Sequence, residues 1–256
     1  MLRVLLCAFA ALILVPCYGA QEACEQPLRL AESELLRLVH TPRIDGFDAE
    51  TLHCRVSGTP GAAKVLSKML AEGSESPHWA TIAQALGATG SEEALNSLVG
   101  LLGGKPRLLD ARGRMHRDEV RGREMALVSI GYVARWATKA EIKDKAITYL
   151  SKAAHPGYWD AAKWVSTAKP RGNAKIQLSM MAVWGLGHSK SPAAKLELER
   201  LGQILGRSPV EIGAHIGPSE AEAWTHEGYT VIDFKSAVEG AIKLHGAPGQ
   251  VQRAAR

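Results

Sequence analysis

The chain has only four cysteines, and no two of them form a CxxC pair. That absence leaves no signature of a dithiol redox centre or a thiolate zinc site. No HExxH occurs, and the nine histidines are scattered, so the helical zinc-hydrolase pattern is missing as well. A strong excess of charge is also lacking. The formal net charge is +5, far from the dense basic footprint of a nucleic-acid-binding surface. After the first twenty residues no long apolar run recurs, which leaves no segment suited to span a membrane. Ser166-Thr167-Ala168-Lys169 fits SxxK, but the SDN and KTG companions are absent, and so short a pattern arises often by chance. Gly185-Leu186-Gly187 followed by Lys190-Ser191 invites comparison with a phosphate loop. It lacks the GxxxxGK[ST] spacing, and no strand pattern precedes it. No metal or cofactor is expected.

The first residues, MLRVLLCAFAALILVPCYGAQ, have the layout of a secretory leader. Arg3 supplies the positive start, Val4 to Val15 the apolar core, Pro16 the break, and Gly19-Ala20 the small residues for cleavage. Leu14-Val15-Pro16-Cys17 resembles a lipobox but departs from it at the proline. Removal of residues 1–20 takes away only Arg3 among the charges, so the remaining chain would carry +4. Cys24 and Cys54 would then be the remaining cysteines. In an oxidising compartment the economical expectation is a disulfide between them, against two buried thiols. It would stabilise by about 3 kcal/mol.

From Pro27 onward the apolar residues recur at helical spacing. Leu28, Leu30, Leu35, Leu36 and Val39 form one stripe. Thr59 as N-cap with Pro60 at the first helical position opens a second helix, carrying Val65, Leu66, Met69 and Leu70. Ser91 opens another, with Leu95, Leu98, Val99 and Leu102 inward. The last is expected from an Asp233 N-cap to Gly246, burying Phe234, Val238, Ala241 and Ile242.

Three segments align on Gly87, Gly131 and Gly187. The preceding residues are Leu86, Ile130 and Leu186, and five positions before each glycine stand Ile82, Ala126 and Ala182. After the first and third glycines the match continues through Ala94 with Ala194, Leu98 with Leu198 and Leu101 with Leu201. The expectation is a helical hairpin repeat whose glycine closes the first helix in a left-handed turn. In the second unit, SIGYVARWATKAEIKDKAITYL lacks the Gly-rich turn, so its first helix should run about a turn further. The stretch ALGATGSEEALNSLVGLL resembles the HEAT-like repeats of the phycobilisome-lyase type, over Thr59 to Leu205. The resemblance implies an all-α fold, a short α-solenoid of HEAT-like helical hairpins, and binding of macromolecules along one face.

The expected organisation is a leader at 1–20, an N-terminal helical cap at 21–58, and repeats at 59–205 with insertions at 103–117 and 155–173. A C-terminal insertion and capping helix follow at 206–246, then a flexible tail at 247–256. The insertions, GGKPRLLDARGRMHR, HPGYWDAAKWVSTAKPRGN and the stretch 206–232, all fall between the second helix of one unit and the first helix of the next. Such connections lie along one edge of a helical stack. That edge would present Arg112, Arg114, Arg117, Tyr158, Trp159, Trp164, Trp224 and Tyr229 to a partner, either a protein or an anionic glycan of an envelope or extracellular space. Two other readings stay open. The tryptophans cover helix ends, or His155, Asp160, His215 and His226 supply acid–base chemistry in an enzyme.

Overall fold

The computed structural model describes residues 24, 29–40, 49–165, 171–206 and 228–247, with the backbone alone at 171–173 and 228–233. The leader, the end of the chain from 248, and Trp224, His215 and His226 of the third insertion lie outside the described residues. Among the described residues the chain is all-helical, with no strand. Helices α1 (Glu32–His40), α2 (Ala49–Val56) and α3 (Ala62–Ala71) form an N-terminal group. There follow α4 (Trp79–Thr89), α5 (Glu92–Gly103), α6 (Arg117–Trp136), α7 (Ala140–Ala153), α8 (Arg171–Ser189), α9 (Pro192–Leu205) and α10 (Gly228–Gly246). Short 3₁₀ turns span Gly73–His78 and Pro156–Ala161.

Local chemistry accounts for several helix starts. Ser91 is extended and accepts a hydrogen bond from Ala94 N at 3.1 Å. Glu92 and Glu93 then lie over the positive end of α5. Pro192 takes the first position of α9, where its missing N–H costs nothing. Two expected starts are displaced. Helix α3 begins at Ala62 behind a left-handed Gly61 (φ 74°), not at Pro60. The Thr59 hydroxyl is used elsewhere, donating to Arg55 O and accepting from Leu30 N at 3.0 Å, which ties the segment before α1 to the α2–α3 connection. Helix α10 begins five residues before the expected Asp233 cap. Cys24 and Cys54 are joined in a disulfide, Cα to Cα 5.4 Å, anchoring the N-terminal segment to α2.

Helices α4, α6, α8 and α10 pack one on the next in a single layer. Their meeting points advance together along the chain. Trp79 lies at Gly122 and Gly87 at Ser129, Gly131 lies at Gly185 and Tyr132 at His188, and Trp184 lies at Gly240 and Gly187 at Ala241. The four helices are therefore parallel. Helices α5, α7 and α9 return after two- or three-residue turns. Each packs on its own predecessor and on the next helix of the first layer, while touching its like only slightly. Leu86, Leu98, Leu127, Ile130, Leu150, Leu186, Leu198 and Leu201 are buried between these elements.

The aligned glycines have a different physical role from the one expected. Gly87, Gly131 and Gly187 sit inside α4, α6 and α8, not in the turns that follow. A Cβ on Gly87 would lie 2.5 Å from Ser129 O, and one on Gly187 2.9 Å from Ala241 O; on Gly131 it would collide with the Gly185 carbonyl. Each glycine is where one helix backbone crosses against the next. The residue it meets is small every time, Ser129, Gly185 and Ala241, and the first two stand two positions before the aligned glycine of their own helix. The left-handed turn residue is Gly90 (φ 64°) after α4 and Lys190 (φ 55°) after α8. As expected from the missing Gly-rich turn, α6 continues five residues past its glycine, whereas α4 and α8 continue two.

Candidate functional site

The first two insertions meet through a buried ion pair. Glu119 and Arg123, one turn apart at the start of α6, are both 0% exposed. Arg123 Nη2 and Nε donate to Glu119 Oε1 at 2.7 and 3.1 Å. Glu119 Oε2 also accepts from the backbone N–H groups of Arg107 and Leu108 at 2.9 and 2.8 Å. Two of the three remaining guanidinium hydrogens reach Leu102 O and Lys105 O. Burial pushes the Arg123 guanidinium below its ordinary value, and the Glu119 carboxylate opposes that shift. A buried pair offsets its desolvation only when further hydrogen bonds meet its remaining donors and acceptors, and here the carbonyls and N–H groups of segment 102–108 meet most of them. The start of the first insertion is thereby tied to α6.

Segment 155–165 closes onto this frame. The Trp164 ring lies over Arg123, 4.4 Å from guanidinium carbon to centroid, and Trp164 Nε1 donates to Leu102 O at 2.7 Å. Trp159 Nε1 donates to Ala153 O at 2.9 Å. Tyr149, Tyr158, Trp159 and Trp164 follow one another edge to face, with centroids 6.0, 5.2 and 6.2 Å apart. Between them and segment 102–106 lies a cavity of about 560 Å³, the size of a small-molecule site. Its wall includes Leu102, Pro106, Ala161 and Ala162, with Lys105 and Lys163 as the charged groups. Burial, with the neighbouring Tyr158, pushes the Tyr149 hydroxyl well above its ordinary value and keeps it neutral.

The expected site residues divide into separate environments. Tyr158 is 37% exposed and stands on the cavity wall. Trp159 and Trp164 line the same wall but are only 2% and 4% exposed, so they pack the insertion as well as face the cavity. Arg112, Arg114 and Arg117 are exposed on the first insertion, away from the cavity wall. Arg114 folds back on Asp110, its Nε and Nη2 at 3.0 and 2.9 Å from Oδ2, around a turn with Gly113 at φ 70°. Trp224 and the side chain of Tyr229 fall outside the described residues. Of the acid–base candidates, His155 lies 3.6 Å from Glu197 and takes a contact from Arg200 at 2.8 Å. Asp160 pairs with Lys175.

Sequence reading missed Glu119, Arg123, Tyr149, Lys105 and Lys163. The i,i+4 spacing of Glu119 and Arg123 is the signature of an exposed helix pair, and only their burial changes its meaning. Tyr149 sits on α7 as an ordinary helical residue until the second insertion covers it.

On the opposite edge, after the first-layer helices end, His53 stacks on Trp136 at 4.5 Å, with Tyr132 and His188 continuing the row. Burial, then the nearby charges of Lys190 and Arg135, lowers His188 to about 4.

Among the described residues no group of three or more metal-ligating side chains converges, and no helix is long and apolar enough to cross a membrane. No family model matches the chain, and no curated protein or solved structure matches it.

Proposed function

We propose that this chain is a short α-solenoid of HEAT-like hairpins, exported by its 1–20 leader, that acts as a binding scaffold through its inter-repeat edge. The solenoid reading is supported by the parallel first-layer helices, each joined to the next through a glycine crossing. A second layer contacts neighbours but scarcely itself, as in repeat stacks. The disulfide between Cys24 and Cys54 is compatible with an oxidising compartment.

The observation that carries the binding role is the joining of insertions 103–117 and 155–173 around one aromatic cavity. Chain that only bridged two helices would not need a buried ion-pair network to hold an open cavity beside it. The exposed Arg112, Arg114 and Arg117 belong to the first insertion but stand off the cavity wall, and they suit an acidic protein or an anionic glycan. Asp160 is paired with Lys175, and His155 sits between Glu197 and Arg200, which supports a structural role for both. No cofactor enters this reading.

Capture by the leader-free protein tests it, beside an Arg112→Ala/Arg114→Ala/Tyr158→Ala variant. The variant is expected to keep its helical circular dichroism and melting temperature while losing specific partners from envelope or secreted protein, or retention on a sulfated glycan column. If it folds and keeps every interaction, this edge is not the binding face.

A further inference from the structure

The geometry points to one ligand chemistry for the cavity: an apolar ring or chain carrying a single anionic end, such as a carboxylate. This rests on the reading of the insertion edge as the binding face and narrows it.

Four features select that chemistry. First, the wall is aromatic and aliphatic, from Tyr149, Tyr158, Trp159, Trp164, Leu102 and Pro106, so it rewards apolar surface. Second, the indole N–H groups of Trp159 and Trp164 are directed at Ala153 O and Leu102 O. Among the described residues the wall contains no Asp, Glu, Asn or Gln. A sugar ring placed here would find few side-chain partners for its hydroxyls, so its polar groups would gain little over their contacts with water. Third, among the described residues the charged side chains on the wall are Lys105 and Lys163, both exposed at its rim. An anion there is attracted and a cation repelled. Fourth, the guanidinium directly behind Trp164, that of Arg123 at 4.4 Å, contributes no net charge to the cavity. The buried Arg123 is neutralised by Glu119, so the rim lysines carry the selectivity.

The test uses leader-free protein and three anions, each beside its neutral counterpart: naphthoate and naphthamide, dodecanoate and dodecanol, and a tripeptide ending in tryptophan as free acid and as amide. Binding is read by tryptophan fluorescence and calorimetry. At least one anion is expected to bind about tenfold more tightly than its neutral partner. Which anion ranks first separates a free aryl acid, an acyl chain and a protein C-terminus as the source. Lys105→Gln/Lys163→Gln should abolish the preference for the anion while leaving the neutral compound's affinity unchanged. Ala162→Trp, which fills the cavity, should remove binding of both. Should that variant not fold, Tyr158→Ala must weaken both instead.

Equal binding of anion and neutral compound overturns the proposal, as does absence of binding by all six compounds to folded protein. The wider scaffold reading fails separately: it falls only when the Arg112→Ala/Arg114→Ala/Tyr158→Ala variant keeps its macromolecular partners.

Discussion

Arg123 and Trp164 meet face to face, the guanidinium carbon 4.4 Å from the indole centroid, although one belongs to α6 and the other to the second insertion. Both also bond the same carbonyl, Leu102 O at the end of α5. One backbone oxygen thus joins a helix end, the next helix of the first layer, and the segment closing the cavity.

Replacing Arg123 alone should therefore be severe. Arg123→Met leaves the Glu119 carboxylate buried without its counter-charge, and urea denaturation should show a loss of about 3–5 kcal/mol. In a double-mutant cycle with Glu119→Gln, the two losses should fall well short of adding. Full additivity would mean that the pair does not act as a unit.

The glycine crossings predict a contrast between substitutions that look alike in sequence. Gly131→Ala puts a methyl into the Gly185 backbone and should destabilise by about 1–3 kcal/mol or more. Gly100→Ala, within α5 and with open space around it, should stabilise by about 0.5–1 kcal/mol. Thermal melts of the two variants should move in opposite directions.

Acid should weaken the fold in two separate windows. His188 is lowered from 6.5 to about 4 by its burial. Its neutral form is the one the fold favours, so its contribution is complete above pH 6.5 and is lost as pH falls towards 4. The size is about 3 kcal/mol. Burial alone would raise the Glu197 carboxyl, but the hydrogen bonds from Arg200 at 2.7 and 2.9 Å, with His155 beside them, outweigh it and hold the group at about 2. Its contribution is complete above pH 4.5 and is lost between 4.5 and 2. Stability measured against pH in His188→Phe should fall less steeply than the parent's across the upper window, where the half-buried His53 is lowered as well, and be unchanged in the lower one. A variant with the same slope as the parent in the upper window would rule His188 out.

Loss of the disulfide should cost about 3 kcal/mol, since the bond closes a loop with a sequence separation of 30. Cys24→Ser/Cys54→Ser should unfold at correspondingly lower denaturant. The parent's intact mass under non-reducing conditions should be two hydrogens below the reduced value. An unchanged mass would mean two free thiols.

Much of the helical pattern was legible because it depends on neighbours within a turn or two. Ser91 caps α5 through Ala94, three residues on, and the apolar stripes follow the 3.6 period. The equivalence of Gly87, Gly131 and Gly187 was legible too, yet its reason was not. A tight turn and a helix crossing both demand a residue without Cβ, and sequence alone registers only the demand. The same degeneracy hid the site. Trp159 and Trp164 read equally well as exposed anchors or packed cover, because indole is both apolar and a hydrogen-bond donor. Only the positions of Ala153 O and Leu102 O, the latter 62 residues away from Trp164, decide between the two. Glu119 and Arg123 look like a solvated i,i+4 pair until α5 and the first insertion bury them. Local periodicity determined the helices. The sign and meaning of their polar residues were decided by burial, which depends on distant parts of the chain and appears only when the helices are packed.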